Sequence, residues 1–314
     1  MDRDRGQLLL VAGLGLALAF VVLALVLNAV VFTENLATRN HGETDDVVGY
    51  ERATEVAVGG LLVQTNAYDD ADHANLRSAL SANVETWDAN ASLLSASSGT
   101  ITAASVRSVE NGTRIVQADE RNFSDANGTT DWTAAVDVSE TRRFEAVVTP
   151  TSGSPVAFTF SDGTASWRVE VSENGTNADY TDVDVRNETG DVLAETYVES
   201  GTASIDVTEG TVNGTRVANW TFAENVSAPY SISVENGGNA NGKYGFVVDV
   251  PNADDDVAAG TYADRSNGSP AAVPALYSAT VAVYVQDARV TYETNVTVAP
   301  ESSPAAAPWA SPSE

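Results

Sequence analysis

Trp167-Arg168-Val169-Glu170-Val171 alternates apolar with charged side chains over five residues, and this reading decides the fold. Successive side chains of an extended strand point to opposite faces, so such a stretch buries one face and wets the other. Asp182-Val183-Asp184-Val185, Ser231-Ile232-Ser233-Val234 and Val281-Ala282-Val283-Tyr284-Val285 repeat the pattern. Between the runs stand Asn111-Gly112, Asp162-Gly163, Asn174-Gly175, Asn213-Gly214 and Asn236-Gly237, pairs that tolerate the positive φ of a type I′ hairpin turn. Many short strands so punctuated predict a mainly antiparallel, jelly-roll-like β-sandwich over residues 99–299, built as one or two units. Gly237–Gly242 and Asp254-Asp255-Asp256 read as longer loops, and residues 300–314, rich in Pro, Ala and Ser, read as an unstructured tail.

Upstream of the strands the period changes. In 44–66, Val47, Tyr50, Ala57, Val58, Leu61 and Leu62 fall near one helical face, with Gly59-Gly60 weakening the helix. A second helix carries Leu76, Leu80, Val84, Trp87, Ala91 and Leu94 at steps of four and three, with Asp72 as N-cap and Gly99 shortly after its end. Such a stripe covers a sheet or a neighbouring helix, so 36–98 reads as a helical stalk or packing region and the chain as α+β.

Further toward the amino end, no side chain from Gly6 to Thr33 is charged, and Leu8–Phe32 is almost wholly Leu, Val, Ala, Gly and Phe. Twenty-five helical residues span about 37 Å, enough for a hydrocarbon core of about 30 Å. The run is longer than a signal-peptide core, and Val31-Phe32-Thr33-Glu34-Asn35-Leu36 offers no small-x-small cleavage site. Residues 7–35 are therefore expected to be a retained transmembrane helix behind a short charged leader, 1–6. Arg3 and Arg5 precede the run, while Glu34, Glu43, Asp45 and Asp46 follow it, so the leader should be cytoplasmic and the bulk extracellular. The tail holds no second apolar span, so a single crossing is expected.

Forty-four acidic residues against sixteen basic ones give a net charge of −28, and Lys243 is the only lysine. Nucleic acid and anionic headgroups both require a basic patch, so electrostatic binding of either is excluded. With 43% hydrophobic residues and five Trp, the chain is too apolar for a solvating tail. The acidity fits a folded protein in strong brine, where the Debye length falls to roughly 3 Å at 1 M salt and surface carboxylates stop repelling one another. There is no cysteine, which removes disulfides, thiolate metal sites and cysteine nucleophiles.

Eleven of the twenty-two asparagines stand in Asn-x-Ser/Thr: Asn90, Asn111, Asn122, Asn127, Asn174, Asn187, Asn213, Asn219, Asn225, Asn267 and Asn295. All lie after the apolar run, where glycan acceptors of an exported surface must be. Asn-Gly turns followed by strand-loving Thr produce the same motif without sugar. Catalysis has little to work with. His41 and His73 are the only imidazoles, no HExxH or phosphate-binding glycine loop occurs, and carboxylate pairs in so acidic a chain read as solvated faces, so no enzyme is expected. No cofactor is expected either. Calcium is the one candidate, at Asp69-Asp70-x-Asp72, Asp182-x-Asp184 and Asp254-Asp255-Asp256, clusters that surface acidity explains without a metal.

Arg5-Gly6-Gln7 followed directly by Leu8-Leu9-Leu10-Val11 resembles archaeal type IV pilin-like and archaellin-like precursors, and the single-span surface proteins of haloarchaea. The resemblance covers about the first forty residues and the general plan of helix followed by β domain. It implies cleavage by a prepilin peptidase between Gly6 and Gln7, and an apolar helix able to pack with other pilin-like subunits. Bacterial-type pilins carry Glu at the fifth mature position, where this chain has Val11. The expected partners are thus the bilayer, the peptidase, other pilin-like subunits, and envelope glycans or proteins, with no nucleic acid. The role implied is structural or adhesive, in the envelope or a pilus-like filament. The alternatives are a non-polymerising binding module that presents its sandwich to a glycan or protein, and a membrane-tethered hydrolase.

Overall fold

The computed structural model describes residues 47–67, 72–151, 153–264 and 268–299. The leader, the apolar run, Asn267 and the tail lie outside these. The chain forms helix α1 over 47–67 and α2 over His73–Ser97. Fourteen strands follow among the described residues: β1 Ile101–Asn122, β2 Trp132–Val138, β3 Thr141–Pro150, β4 Val156–Ser161, β5 Ser166–Glu173, β6 Thr181–Asn187 and β7 Val192–Val198. The remainder are β8 Ala203–Asp206, β9 Thr211–Val212, β10 Thr215–Arg216, β11 Tyr230–Glu235, β12 Ala240–Val248, β13 Ala271–Gln286 and β14 Thr291–Val298. The α+β expectation holds: two helices accompany a two-sheet antiparallel sandwich. One sheet runs β10-β9-β8-β3-β12-β1-β13-β14 and the other β2-β11-β4-β5-β6-β7, more strands than the eight of a jelly roll.

All four alternating stretches are strands. On β5, Trp167, Val169 and Val171 are fully buried while Arg168 and Glu170 form an ion pair (2.8 Å) on the outer face. Between the sheets lies a core rich in aromatic rings, with Phe144 stacked on Phe246 at 4.5 Å and edge-on to Phe158 at 5.1 Å. A second core forms where α1 and α2 cover Ala104, Ala279, Val281, Val283 and Val285 of β1 and β13 with Val58, Leu62, Leu76, Leu80 and Val84.

The two cores lie end to end along one face of the larger sheet. Ala272 and Leu276 are four apart on β13 in regular register with Ile115 and Asn111, hence on the same face, yet Ala272 packs on the sandwich core and Leu276 in the helical one. At this handover the ladder is irregular, since Glu110 pairs with Ser278 but Asn111 with Leu276, leaving Tyr277 as the extra residue of a bulge. The Asn66 side chain completes the disrupted backbone there, donating to the Leu276 carbonyl (2.9 Å) and accepting from its N–H (2.8 Å).

Of the five Asn-Gly and Asp-Gly pairs, Asn213-Gly214 alone has positive φ at both residues. Asp72 caps α2 by accepting from the Asn75 N–H at 2.8 Å, and Gly99 follows the helix with φ +88°. Asn213-Gly214 is the two-residue turn of the β9–β10 hairpin, with φ of 48° and 74°. Asn111-Gly112 is a correction. It lies mid-strand in β1, and a Cβ on Gly112 would sit 2.3 Å from the Val248 carbonyl oxygen, so this glycine serves close strand approach and not a turn. Gly237–Gly242 is also shorter as a loop than expected: a 3₁₀ turn occupies Gly237–Asn239, and β12 has begun by Ala240. Leu94, placed on the buried stripe, is 73% exposed.

Candidate functional site

Two surface depressions collect polar and aromatic groups. The first, about 410 Å³, opens beside the handover between the cores and is lined by Glu110, Asn111, Ser139, Glu140 and Asp249. β1 contributes the first two, and the tight β2–β3 connection brings Ser139 and Glu140 over the end of β12. Asp249 fixes that connection, accepting from the Ser139 and Glu140 N–H groups at 2.9 and 3.0 Å. Glu110 accepts from the Ser278 hydroxyl at 2.7 Å. Nearby, the Arg142 guanidinium sits 5.4 Å from the Tyr277 ring and donates to the Leu276 carbonyl at 2.8 Å. Burial pushes Arg142 down to about 10, and burial with the Glu140 carboxylate beside it pushes the Tyr277 phenol well up, so phenol and guanidinium both hold their protons at neutral pH. The carboxylates are held by donors of the fold, and no imidazole lines the cleft. His73, the histidine among the described residues, holds α2 to β1 through Nε2, which donates to the Gly112 carbonyl at 2.9 Å. The arrangement can accept hydrogen bonds and carry negative charge.

The second is a groove of about 300 Å³ at the open edge of the sandwich, between β7 (Glu195, Thr196, Tyr197, Val198) and the β9–β10 hairpin with its exit (Val212, Asn213, Thr215, Arg216, Val217, Ala218). Tyr197 is 57% exposed and stacks on Tyr180 with centroids 6.0 Å apart and planes 8° from parallel. On the same outer face, register sets Asp182 opposite Tyr197 and Asp184 opposite Glu195, while Arg186 bridges Asp184 (2.6 Å) and Glu170 (2.7 Å). A paired aromatic surface beside carboxylates can stack on a sugar ring and bond its hydroxyls. Neither Tyr180–Tyr197 nor the Arg142–Tyr277 pair was singled out from the sequence. The adjacent Arg142-Arg143, in a chain with sixteen basic residues, was the available signal.

The candidate acceptors separate into groups. Asn90, Asn122, Asn127, Asn213, Asn219, Asn225 and Asn295 are exposed. Asn111, Asn174 and Asn187 are half-buried. The Asn111 Oδ1 is enclosed in mid-strand, the Asn174 amide accepts from two N–H groups and donates to Asp182, and the Asn187 carbonyl accepts from Thr189 and Asp191. Asn213, which lines the groove, and Asn219 and Asn225 further along the same stretch all have positive φ. Asn267, His41, Gly6 and Gln7 lie outside the described residues. Of the calcium candidates, Asp69 and Asp70 also lie outside, Asp72 is a helix cap, Asp182 and Asp184 are engaged by Asn174 and Arg186, and Asp254-Asp255-Asp256 is an exposed turn. Among the described residues no three His, Asp or Glu side chains converge as a metal site.

Residues 2–127 match the model of a family of unknown function, DUF7261. The match takes in the leader, the apolar run, both helices and the whole of β1. No curated protein and no solved structure matches the chain. No described helix is long and apolar enough to cross a membrane, and the run Leu8–Phe32 is not among the described residues.

Proposed function

We propose that the chain is a single-pass, membrane-anchored surface protein of pilin-like plan. Residues 7–35 cross the bilayer, and the sandwich projects outward in a structural or adhesive role. The observation that carries this reading is the uncharged stretch from Gly6 to Thr33, separated by thirteen residues from the first described residue of α1, Val47. The family match supports it, because it unites the leader and apolar run with the helices and β1 as one recurring segment. Protease added to intact cells should degrade the acidic domain while leaving a membrane-embedded fragment. A domain protected until the cells are lysed would sink the proposal. Processing is read separately: sequencing of the mature amino terminus should begin at Gln7, and a start at Met1 or Asp2 would remove the prepilin step.

A second reading is favoured by the β7 groove. With Tyr197 exposed beside Asp182 and Glu195, the sandwich would bind an envelope glycan as a non-polymerising module. Retention on a column of immobilised envelope polysaccharide, lost in Tyr197→Ala, would select this reading. Sedimentation of the protein with sheared filaments would select the structural one.

A further inference from the structure

Eight large apolar side chains are exposed among the described residues, and five of them, Val48, Leu93, Leu94, Ile101 and Val290, gather at one end of the molecule. Hydrogen bonds and register fix that end. Ser92 on α2 donates to the Thr102 carbonyl, and Asp88 accepts from the Ala104 N–H, so the last turns of α2 lie beside the start of β1. Ile101 pairs with Gln286 and Gln286 with Thr291, which places the turn bearing Val290 next to Ile101. Tyr50 packs on Trp87 at 5.9 Å and donates to Asp88, and Glu51 accepts from Tyr292, so α1 begins at this same end.

Nine residues of α2 follow Asp88, and Leu93 and Leu94 stand among them, 74% and 73% exposed. The apolar run ends at Phe32, fifteen residues before α1 begins, so the chain that leaves the bilayer is tied to this end of the domain by a short connection.

We propose that this end is a membrane-docking surface: Leu93, Leu94, Ile101 and Val290 rest in the headgroup–acyl boundary of the bilayer that holds the anchor. The inference rests on the membrane-anchored reading. Electrostatic attraction plays no part in it, since the surface is acidic. The anchor supplies the effective concentration, and strong salt screens the repulsion, so a small apolar contact is enough.

The chain has no cysteine, so a single Leu94→Cys or Val290→Cys in the full-length protein takes one environment-sensitive fluorophore, with Thr164→Cys in the β4–β5 turn as reference. In vesicles of the source's polar lipids, the probes at 94 and 290 should shift to the blue and be quenched by nitroxides on the lipid chains, while the probe at 164 responds only to aqueous iodide. Protein that floats with vesicles but whose 94 probe answers only to iodide overturns the docking surface and leaves the anchor standing. A probe at 94 shielded from both quenchers means that protein covers this end, which also overturns it. Protein that fails to float removes the anchor and the docking surface together.

Discussion

The two cores of this molecule are filled by different chemistry. The sandwich core takes five of the chain's eight phenylalanines fully, packs Phe222 against its side, and buries no leucine. The helical core takes Leu62, Leu76, Leu80 and Leu276 and no phenylalanine. Facing sheets stand about 10 Å apart, a gap that rings fill from both sides, whereas the helices meet Ala and Val of the strands with leucine and valine. Composition along the chain therefore marks which layer a segment faces.

The sharpest way to break the comparison is Trp167→Ala. It removes a fully buried indole that meets Phe160 at 5.5 Å, and it should cost about 4 kcal/mol in denaturant unfolding. Because β1 and β13 run through both cores, hydrogen-exchange protection should fall in α1 and α2 as well; protection that falls only in the sandwich would show two independent units. Leu80→Ala in the helical core should cost about 3 kcal/mol and test the coupling from the other side.

Alkaline pH probes both cores through their tyrosines. Burial pushes Tyr50 in the helical core and Tyr230 in the sandwich each up to about 12. A phenol whose folded pKa lies above its unfolded value adds stability that is complete below about pH 10 and is lost as pH rises toward 12. Arg142 acts in the opposite sense, since its depressed pKa relieves a buried charge above about 10, but Tyr244, Tyr262 and Tyr277 are also raised, so stability should fall overall. Tyr230→Phe should make that fall shallower in unfolding curves taken on either side of pH 10, at the expense of about 1 kcal/mol at neutral pH for the lost bond to Thr141. The smallest effect expected is that of Asp72→Ala, about 1 kcal/mol or less, read as fraying of the first turn of α2 by exchange.

Much of this architecture was legible because its signals are local. Period-two alternation located β5, β6, β11 and β13, and the α2 cap was readable from Asp72 alone. The failures came where tertiary contact overrode local preference. Asn111-Gly112 has the dipeptide of a turn, but Val248 crosses so closely that only glycine fits, and the strand continues through it. Leu94 obeys the helical stripe, but it stands 73% exposed near the end of α2, past the turns that Val84 and Trp87 seat on the sheet and α1. The Tyr180–Tyr197 platform joins a loop residue to an edge strand, a proximity that no spacing along the chain announces.

The passage of β1 through both cores has a mechanical consequence. Its 22 residues, at about 3.3 Å each, span at most roughly 70 Å, less what its bulges take up, paired in large part with β13 and with no linker between the two cores. A load on the far sandwich would reach the helices through covalent backbone and cross-strand ladder, so the molecule should transmit torque as a stiff spoke where beads on a string would swivel.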